Sequence, residues 1–171
     1  MDQTQPAIEM RPIGVVRSPR SEAIDDDWGA IESVVALDGA RLGRAGDGVA
    51  AGDDLPTAGL DAFSHVEVVF VFDRVDESAV TLGARHPRGR SDWPRVGILA
   101  QRAKSRPNRI GTTVCELVAV DGLDLTVRGL DAIDGTPVLD VKPYLAEFAP
   151  RSPTRQPAWA TELMRGYWAQ P

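Results

Sequence analysis

Cysteine is nearly missing from this chain. Cys115 is the single one among 171 residues, so no internal disulfide can form. Histidine is almost as scarce: His65 and His86 stand twenty-one positions apart with no Cys or His partner at metal-ligand spacing, and no metal site is expected. No apolar run approaches the length of a membrane span. The polar, acidic opening from Met1 lacks the build of a secretory signal. An excess of positive charge is absent too. Nineteen Lys and Arg against 25 Asp and Glu leave a net charge of −6 and a pI near 4.9, which argues against a surface given over to phosphate contacts. The chain also lacks a Gly-rich phosphate loop followed by Lys, a Gly-x-Gly-x-x-Gly turn and a nucleophile elbow. These absences together point to a soluble, cytoplasmic protein that does not contact membrane and uses none of the commonest catalytic signatures.

The length suits one domain with a proper core. Residues 1–9 read as a flexible N-terminus and 10–171 as a single domain. The apolar patterning is mostly that of strands: Met10–Val16, Ile31–Leu37, the almost continuously apolar Val66–Phe72, a short strand at Ala79–Leu82, Val96–Ala100, Thr112–Val120, Leu123–Leu130 and Pro137–Val141. Asp121-Gly122 reads as a hairpin turn. Leu42–Pro56 holds five glycines or prolines and reads as loop or a weak short helix. Cys115, inside an apolar run, reads as a small buried hydrophobe, and His65, opening a buried strand, as a core histidine. At the C-terminus, Pro157 suits a first helical position, and Trp159, Leu163 and Tyr167 recur every four residues. The segment 157–168 is therefore expected to form an amphipathic helix, packed on this domain or on another subunit. The fold class expected is mainly β: a small closed or nearly closed β-barrel with a short C-terminal amphipathic helix.

Charge is unevenly spread. Nine of the nineteen Lys and Arg lie between Arg74 and Arg109, and Arg102–Arg109 alone packs four cations and Asn108 into eight positions. Pro107 keeps Arg106 out of helix and sets the direction of the loop. Arg102 and Arg106 offer planar forks that match carboxylates and phosphates. The run is as consistent with a solvated basic turn as with a ligand loop. About twenty residues on, Asp131 and Asp134 flank a turn with Gly135, where they can take hydroxyls or an ammonium, or simply cap the turn. Asp140 and Lys142 flank a strand end. Asp25-Asp26-Asp27-Trp28 is either a ring-stacking site or an acidic loop with an anchoring Trp. His86 sits in a basic loop, open to solvent or substrate.

These segments, taken in order, resemble a known family. Pro12-Ile13-Gly14-Val15-Val16-Arg17-Ser18-Pro19, Phe63-Ser64-His65, Arg106-Pro107-Asn108-x-Ile110-Gly111 and Leu130-Asp131-x-x-Asp134-Gly135-Thr136-Pro137-Val138-Leu139-Asp140-Val141-Lys142-Pro143-Tyr144 follow one another as in the TrmO-like, or TsaA-like, family. The resemblance covers roughly Arg11 to Tyr144. It implies an S-adenosylmethionine-dependent methyltransferase on a small β-barrel, working as a homodimer and N-methylating threonylcarbamoyl-adenosine in tRNA.

By the same resemblance, the cofactor contacts fall on Asp27, Trp28, Phe72, Asp73, Arg74, Arg102, Asp131, Ala132, Ile133 and Asp134. Substrate contacts are expected at Lys104, Arg106, Asn108, Lys142 and His86. Asp27, Asp73 and Asp131 are candidates for a general base or for holding the cofactor's ammonium. Two dipeptides depart from the family pattern: Ala103-Lys104 replaces Ser-Pro, and Asp73-Arg74 replaces His-Gln. Only 27 residues follow Tyr144, where the larger tRNA-modifying members carry a further domain. A small polar metabolite as acceptor, or a module that binds S-adenosylmethionine without catalysis, stay open beside tRNA methylation.

Overall fold

Alternating burial along the strands closes this chain on itself. The computed structural model describes residues 7–42, 44–45, 48–49 and 54–169. Its strands are β1 (Gly14–Arg17), β2 (Glu32–Leu37), β3 (Arg44–Ala45), β4 (Gly48–Val49), β5 (His65–Val71), β6 (Ala84–Arg85), β7 (Val96–Gly97), β8 (Ile110–Asp121), β9 (Asp124–Arg128) and β10 (Pro137–Pro143). Six of them form a closed antiparallel barrel in the order β1-β10-β5-β8-β9-β2, with β2 returning to β1. Closure leaves these six strands without a free edge. β3 pairs with β4, and β6 with β7, as two small separate ribbons.

The barrel interior is apolar. Val66, Val68 and Phe70 from β5 meet Val16, Val35, Cys115, Leu125, Val127 and Val138. Each such side chain contributes about 1.5–3 kcal/mol by leaving water. Register slips between Val138 and Asp140 and between Leu117 and Ala119 mark bulges in β10 and β8. The β8–β9 hairpin turns at Asp121-Gly122, where Gly122 takes φ 57° and its carbonyl accepts from Thr57 Oγ1 at 2.7 Å.

Several sequence expectations shift in detail. The first strand begins at Gly14 rather than Met10: the stretch ahead of it contains Pro12, which has no amide to give a ladder. Ala79–Leu82 is not a strand. Glu77–Ala79 is a 3-10 turn, capped where Asp76 Oδ1 accepts from Ser78 N at 2.8 Å. The strand falls instead at Ala84–Arg85, opposite Val96–Gly97. Beyond Gly97 the expected strand gives way to a 3-10 turn, Ile98–Ala100, with Ile98 buried and Leu99 exposed. In the Leu42–Pro56 stretch, helix α1 (Gly39–Leu42) ends at its first residue and the β3–β4 ribbon follows; residues 43, 46–47 and 50–53 lie outside the described residues, as does most of the expected flexible N-terminus. His65 is not a core residue. It is exposed, and its Nδ1 pairs with Ser64 Oγ at 2.9 Å, because strand alternation puts Val66 inside and His65 out. The C-terminal helix α2 spans Ala158–Leu163 with Pro157 as its N-cap, and turns rather than helix carry the chain on through Trp168. Among the described residues no helix is long and apolar enough to cross a membrane.

The strand directions decide where a site can form. The connections β1–β2, β5–β8 and β9–β10 all emerge from the same barrel end. Strand β10 ends at the opposite one, beside His65, where Tyr144 N donates to His65 O at 3.0 Å. Residues 145–157 therefore bring the chain back, and the C-terminal segment docks on the end that carries the three long connections.

Candidate functional site

At that barrel end the three connections and the C-terminal segment line two adjoining, half-open chambers. The larger has a volume of about 650 Å3 and the smaller about 390 Å3, both within the range of small-ligand sites. Four residues line both: Phe70, Phe72, Arg102 and Asp131. Phe70 and Phe72 meet edge to face, with centroids 5.3 Å apart. The larger chamber is walled by aromatic and aliphatic side chains, including Trp28, Ile133, Trp159, Leu163 and Met164, with Asp73, Arg74 and Lys104 also lining it. The smaller is cationic: Arg102, Arg106 and Asn108 line it beside Pro107 and Ile110.

Asp131 is the polar hinge between them. Its Oδ1 accepts from the Thr113 hydroxyl on β8, and its Oδ2 accepts from the Tyr167 hydroxyl. Arg102 Nη2 donates to the Thr112 carbonyl, which holds the guanidinium at the same junction. Burial first, and then the negative charge of Asp131, pushes the Tyr167 phenol well above the ordinary range, so Tyr167 stays a donor. The Cys115 thiol behind this junction is pushed up to about 12 by burial and by Asp131. It is an inert core group, as the apolar run around it predicts.

The acidic loop is built as a brace. Asp27 takes φ 63°, and its N donates to Gly166 O at 3.1 Å. Trp28 N donates to Tyr167 O at 2.9 Å. Arg20 donates to the carbonyls of Asp26 and Asp27 and lays its guanidinium 4.5 Å from the Trp28 ring centroid. Arg88 forks onto Asp26 at 2.7 and 3.0 Å. Trp28 is 4% exposed and lines the larger chamber; Asp27 lines neither.

The other expected site residues divide in the same way. Phe72, Asp73, Arg74, Arg102, Asp131, Ala132, Ile133 and Lys104 come together around the larger chamber, Arg106 and Asn108 around the smaller. Arg74 also stitches loops, donating to Ser21 O at 3.1 Å and Asp134 O at 2.8 Å. Besides Asp27, three more candidates lie outside both chambers. Asp134 is a turn residue whose Oδ1 accepts from Ser18 N at 3.0 Å. Lys142 is exposed on β10 and pairs with Asp140. His86 bonds through Nδ1 to the Trp93 carbonyl at 2.7 Å and braces its own loop.

Sequence reasoning missed Arg85 and the whole C-terminal wall as site elements. The four-residue spacing of Trp159, Leu163 and Tyr167 marked an apolar face, and that face is turned into a cavity of this same chain. Arg85 gave no such signal. Its Nε is the one buried side-chain polar atom without a partner among the described residues, and it belongs to a residue lining the larger chamber. A buried donor left open costs free energy until an acceptor arrives. The aromatic walls, with Asp131 and Arg102 at the junction, fit a ligand with a flat apolar ring system and a zwitterionic end.

Known proteins resemble this chain in sequence and in fold. The sequence profile of the tRNA-methyltransferase O N-terminal domain matches residues 53–150. The chain belongs to that family. A "Probable S-adenosyl-L-methionine-binding protein" of Methanothermobacter thermautotrophicus is 36% identical over 141 residues, 80% of this chain and 90% of that protein. A tRNA (adenine(37)-N6)-methyltransferase of Escherichia coli is 35% identical over 161 residues, 90% of this chain and 64% of the relative. The crystal structure of TrmO from Pseudomonas aeruginosa superposes with a TM-score of 0.65 at 26% identity, covering 88% of this chain and 62% of that one. The chain thus spans less than two thirds of the Escherichia coli and Pseudomonas proteins. The family match ends at residue 150, so helix α2 and Tyr167 lie beyond it.

Proposed function

We propose that this chain is an S-adenosylmethionine-dependent methyltransferase that N-methylates adenosine in tRNA, at the threonylcarbamoyl-adenosine that the family resemblance points to. The observation that carries the reading is the pair of chambers meeting at Asp131 and Arg102. Methyl transfer is an in-line displacement, and the protein's main task is to hold donor and acceptor at near-attack distance. Two pockets with a shared wall support that reading. The aromatic walls of the larger chamber suit an adenine ring, and the Asp131–Arg102 pair suits an amino-acid end. Arg106 and Asn108 in the smaller chamber suit an acceptor that carries an anionic group. The cofactor, when bound, supplies an activated methyl group; the residues of this chain bind, orient and exclude water.

Among the carboxylates, Asp131 already accepts on both oxygens, Asp27 lines neither chamber, and Asp73 stands exposed at the rim of the larger one. Asp131 therefore serves charge recognition, and Asp73 is the carboxylate free to take a proton from a weakly nucleophilic nitrogen. The protein is further proposed to act in the cytoplasm as a homodimer, with residues 10–171 as one domain. The exposed outer residues Val114 and Val118 of β8 support a self-association face.

Purified protein incubated with methyl-labelled S-adenosylmethionine and tRNA carrying the threonylcarbamoyl group tests the reading. Transfer to that tRNA, and none to tRNA without the group, is the expected result. Transfer to a tRNA-free metabolite extract instead would make the acceptor a small polar metabolite. Cofactor binding with no transfer to either would make the chain a binding module. Sedimentation at micromolar concentration reports the dimer.

A further inference from the structure

We propose that Tyr167 is the positioning residue of this site: it fixes the Asp131 carboxylate at the junction of the two chambers, where that carboxylate receives the ammonium group of the cofactor's amino-acid end. The inference rests on the S-adenosylmethionine reading above.

Asp131 is gripped from two sides. Thr113, on the barrel wall, donates to one oxygen, and Tyr167, from the C-terminal segment, donates to the other. A carboxylate held by one donor can swing about its last torsion; one held on both oxygens by groups from separate elements cannot. Each oxygen still has lone-pair capacity for a cation. The charged and titratable groups around this junction are Arg102, which lines both chambers, Asp25 of the β1–β2 connection, and the Cys115 thiol from β8. Asp25 and Asp73 also line the larger chamber, but both are exposed, so Asp131 is its inner carboxylate. With Arg102 beside it, the junction presents one negative and one positive group to a zwitterion.

Tyr167 is itself placed with care. Its carbonyl accepts from Trp28 N at 2.9 Å, and the preceding Gly166 carbonyl accepts from Asp27 N at 3.1 Å. Its ring meets Trp168 edge to face at 4.8 Å. A residue serving only as an apolar wall has no use for a buried hydroxyl, which costs free energy unless it is satisfied. Here the hydroxyl is satisfied by the one carboxylate shared between the chambers. The acidic loop next to Trp28 thus acts by seating the chain that carries Tyr167, which accounts for an Asp27 that lines no cavity.

Calorimetry on the full chain separates this role from a wall. S-adenosylhomocysteine carries the ammonium; 5′-methylthioadenosine keeps the adenosine and the thioether and lacks the amino-acid end. Tyr167→Phe, which keeps the ring, should weaken S-adenosylhomocysteine about tenfold and leave 5′-methylthioadenosine unchanged. Asp131→Asn should show the same selectivity with a larger loss, and the double variant should be no weaker than Asp131→Asn alone, since the tyrosine acts through the carboxylate. Equal losses for both ligands in Tyr167→Phe, an unchanged affinity for S-adenosylhomocysteine, or additive losses in the double variant would overturn the proposal. Should Tyr167→Phe fail to melt cooperatively, Asp131→Asn decides alone: equal losses for the two ligands reject the ammonium contact. Wild-type protein that binds neither ligand rejects the cofactor reading itself, a result distinct from all of these.

Discussion

The indole nitrogen of Trp93 donates to Glu162 Oε2 at 3.1 Å, tying the loop between β6 and β7 to helix α2. Around this bond Arg90 lies 4.0 Å above the Trp93 ring and reaches Glu162 Oε1 at 3.1 Å, while Trp159 packs on Trp93 with centroids 6.4 Å apart. A six-residue helix has no stability of its own in water. Its place over the larger chamber comes from these contacts and from the Tyr167 hydroxyl.

Glu162→Ala removes the acceptor for Trp93 and the partner of Arg90. The hydrogen bond is worth about 1 kcal/mol, and it acts on the local docking of α2 rather than on the barrel. Hydrogen exchange should speed up at the Ala158–Leu163 amides and stay unchanged at β5 and β8. Uniform acceleration through the barrel would mean that α2 and the barrel unfold as one unit.

Gly111 on β8 is a second point of control. A Cβ there would stand 2.4 Å from Phe70 Cε2 and 2.6 Å from Cζ, and Phe70 is 1% exposed, so the ring has little room to yield. Forcing a buried ring off its position costs about 1–3 kcal/mol. Gly111→Ala should lower the melting temperature by roughly 5 °C. Because Phe70 lines both chambers, it should also weaken ligand binding more than the stability loss explains. An unchanged melting curve would contradict the packing.

The barrel was legible because its strands advertise themselves. Val66–Phe72 and Thr112–Val120 are apolar and β-branched, and Asp121-Gly122 sits between two runs that can only return on each other. The Arg102–Gly111 and Leu130–Tyr144 runs, each as consistent with an ordinary turn when taken alone, became a candidate ligand site only through the family resemblance that orders them. What stayed hidden depends on three-dimensional return of the chain. Nothing local in Tyr167 tells that it will reach a carboxylate 36 positions earlier. Spacing gave helix α2 an apolar face but left open whether that face meets this domain or another subunit. Lys142 and His86 looked available because polar side chains in polar stretches do; Asp140 and the Trp93 carbonyl occupy them instead.

Arg85 should matter to the larger chamber more than to the fold. Its Nε is buried without a partner, which costs the free protein stability, and its side chain lines the larger chamber. Arg85→Met keeps the apolar stem of the side chain and deletes the guanidinium with its unpaired donor. The free variant should melt at or slightly above the wild-type temperature, while the rise in melting temperature produced by S-adenosylhomocysteine should shrink. A variant that loses stability without ligand and keeps the full ligand-induced rise would show that Arg85 serves the fold.

Alkaline pH should expose the core through Cys115. The thiol is pushed up to about 12 in the folded protein from an ordinary value near 9, chiefly by burial and further by Asp131. The unfolded chain therefore gives up this proton first. Stability from the group is complete below about pH 9 and is lost as the pH rises toward 12, at up to about 1.4 kcal/mol per pH unit. Tyr167 is shifted in the same direction and adds to the loss above its own unfolded value near 10. Urea unfolding between pH 9 and 11 should follow this slope, and Cys115→Ala should flatten it between pH 9 and 10, where the thiol acts alone of the two. At pH 8 the native thiol should resist a thiol-specific disulfide reagent that labels it at once in urea. Rapid labelling of the folded protein would place Cys115 at the surface and remove the alkaline term.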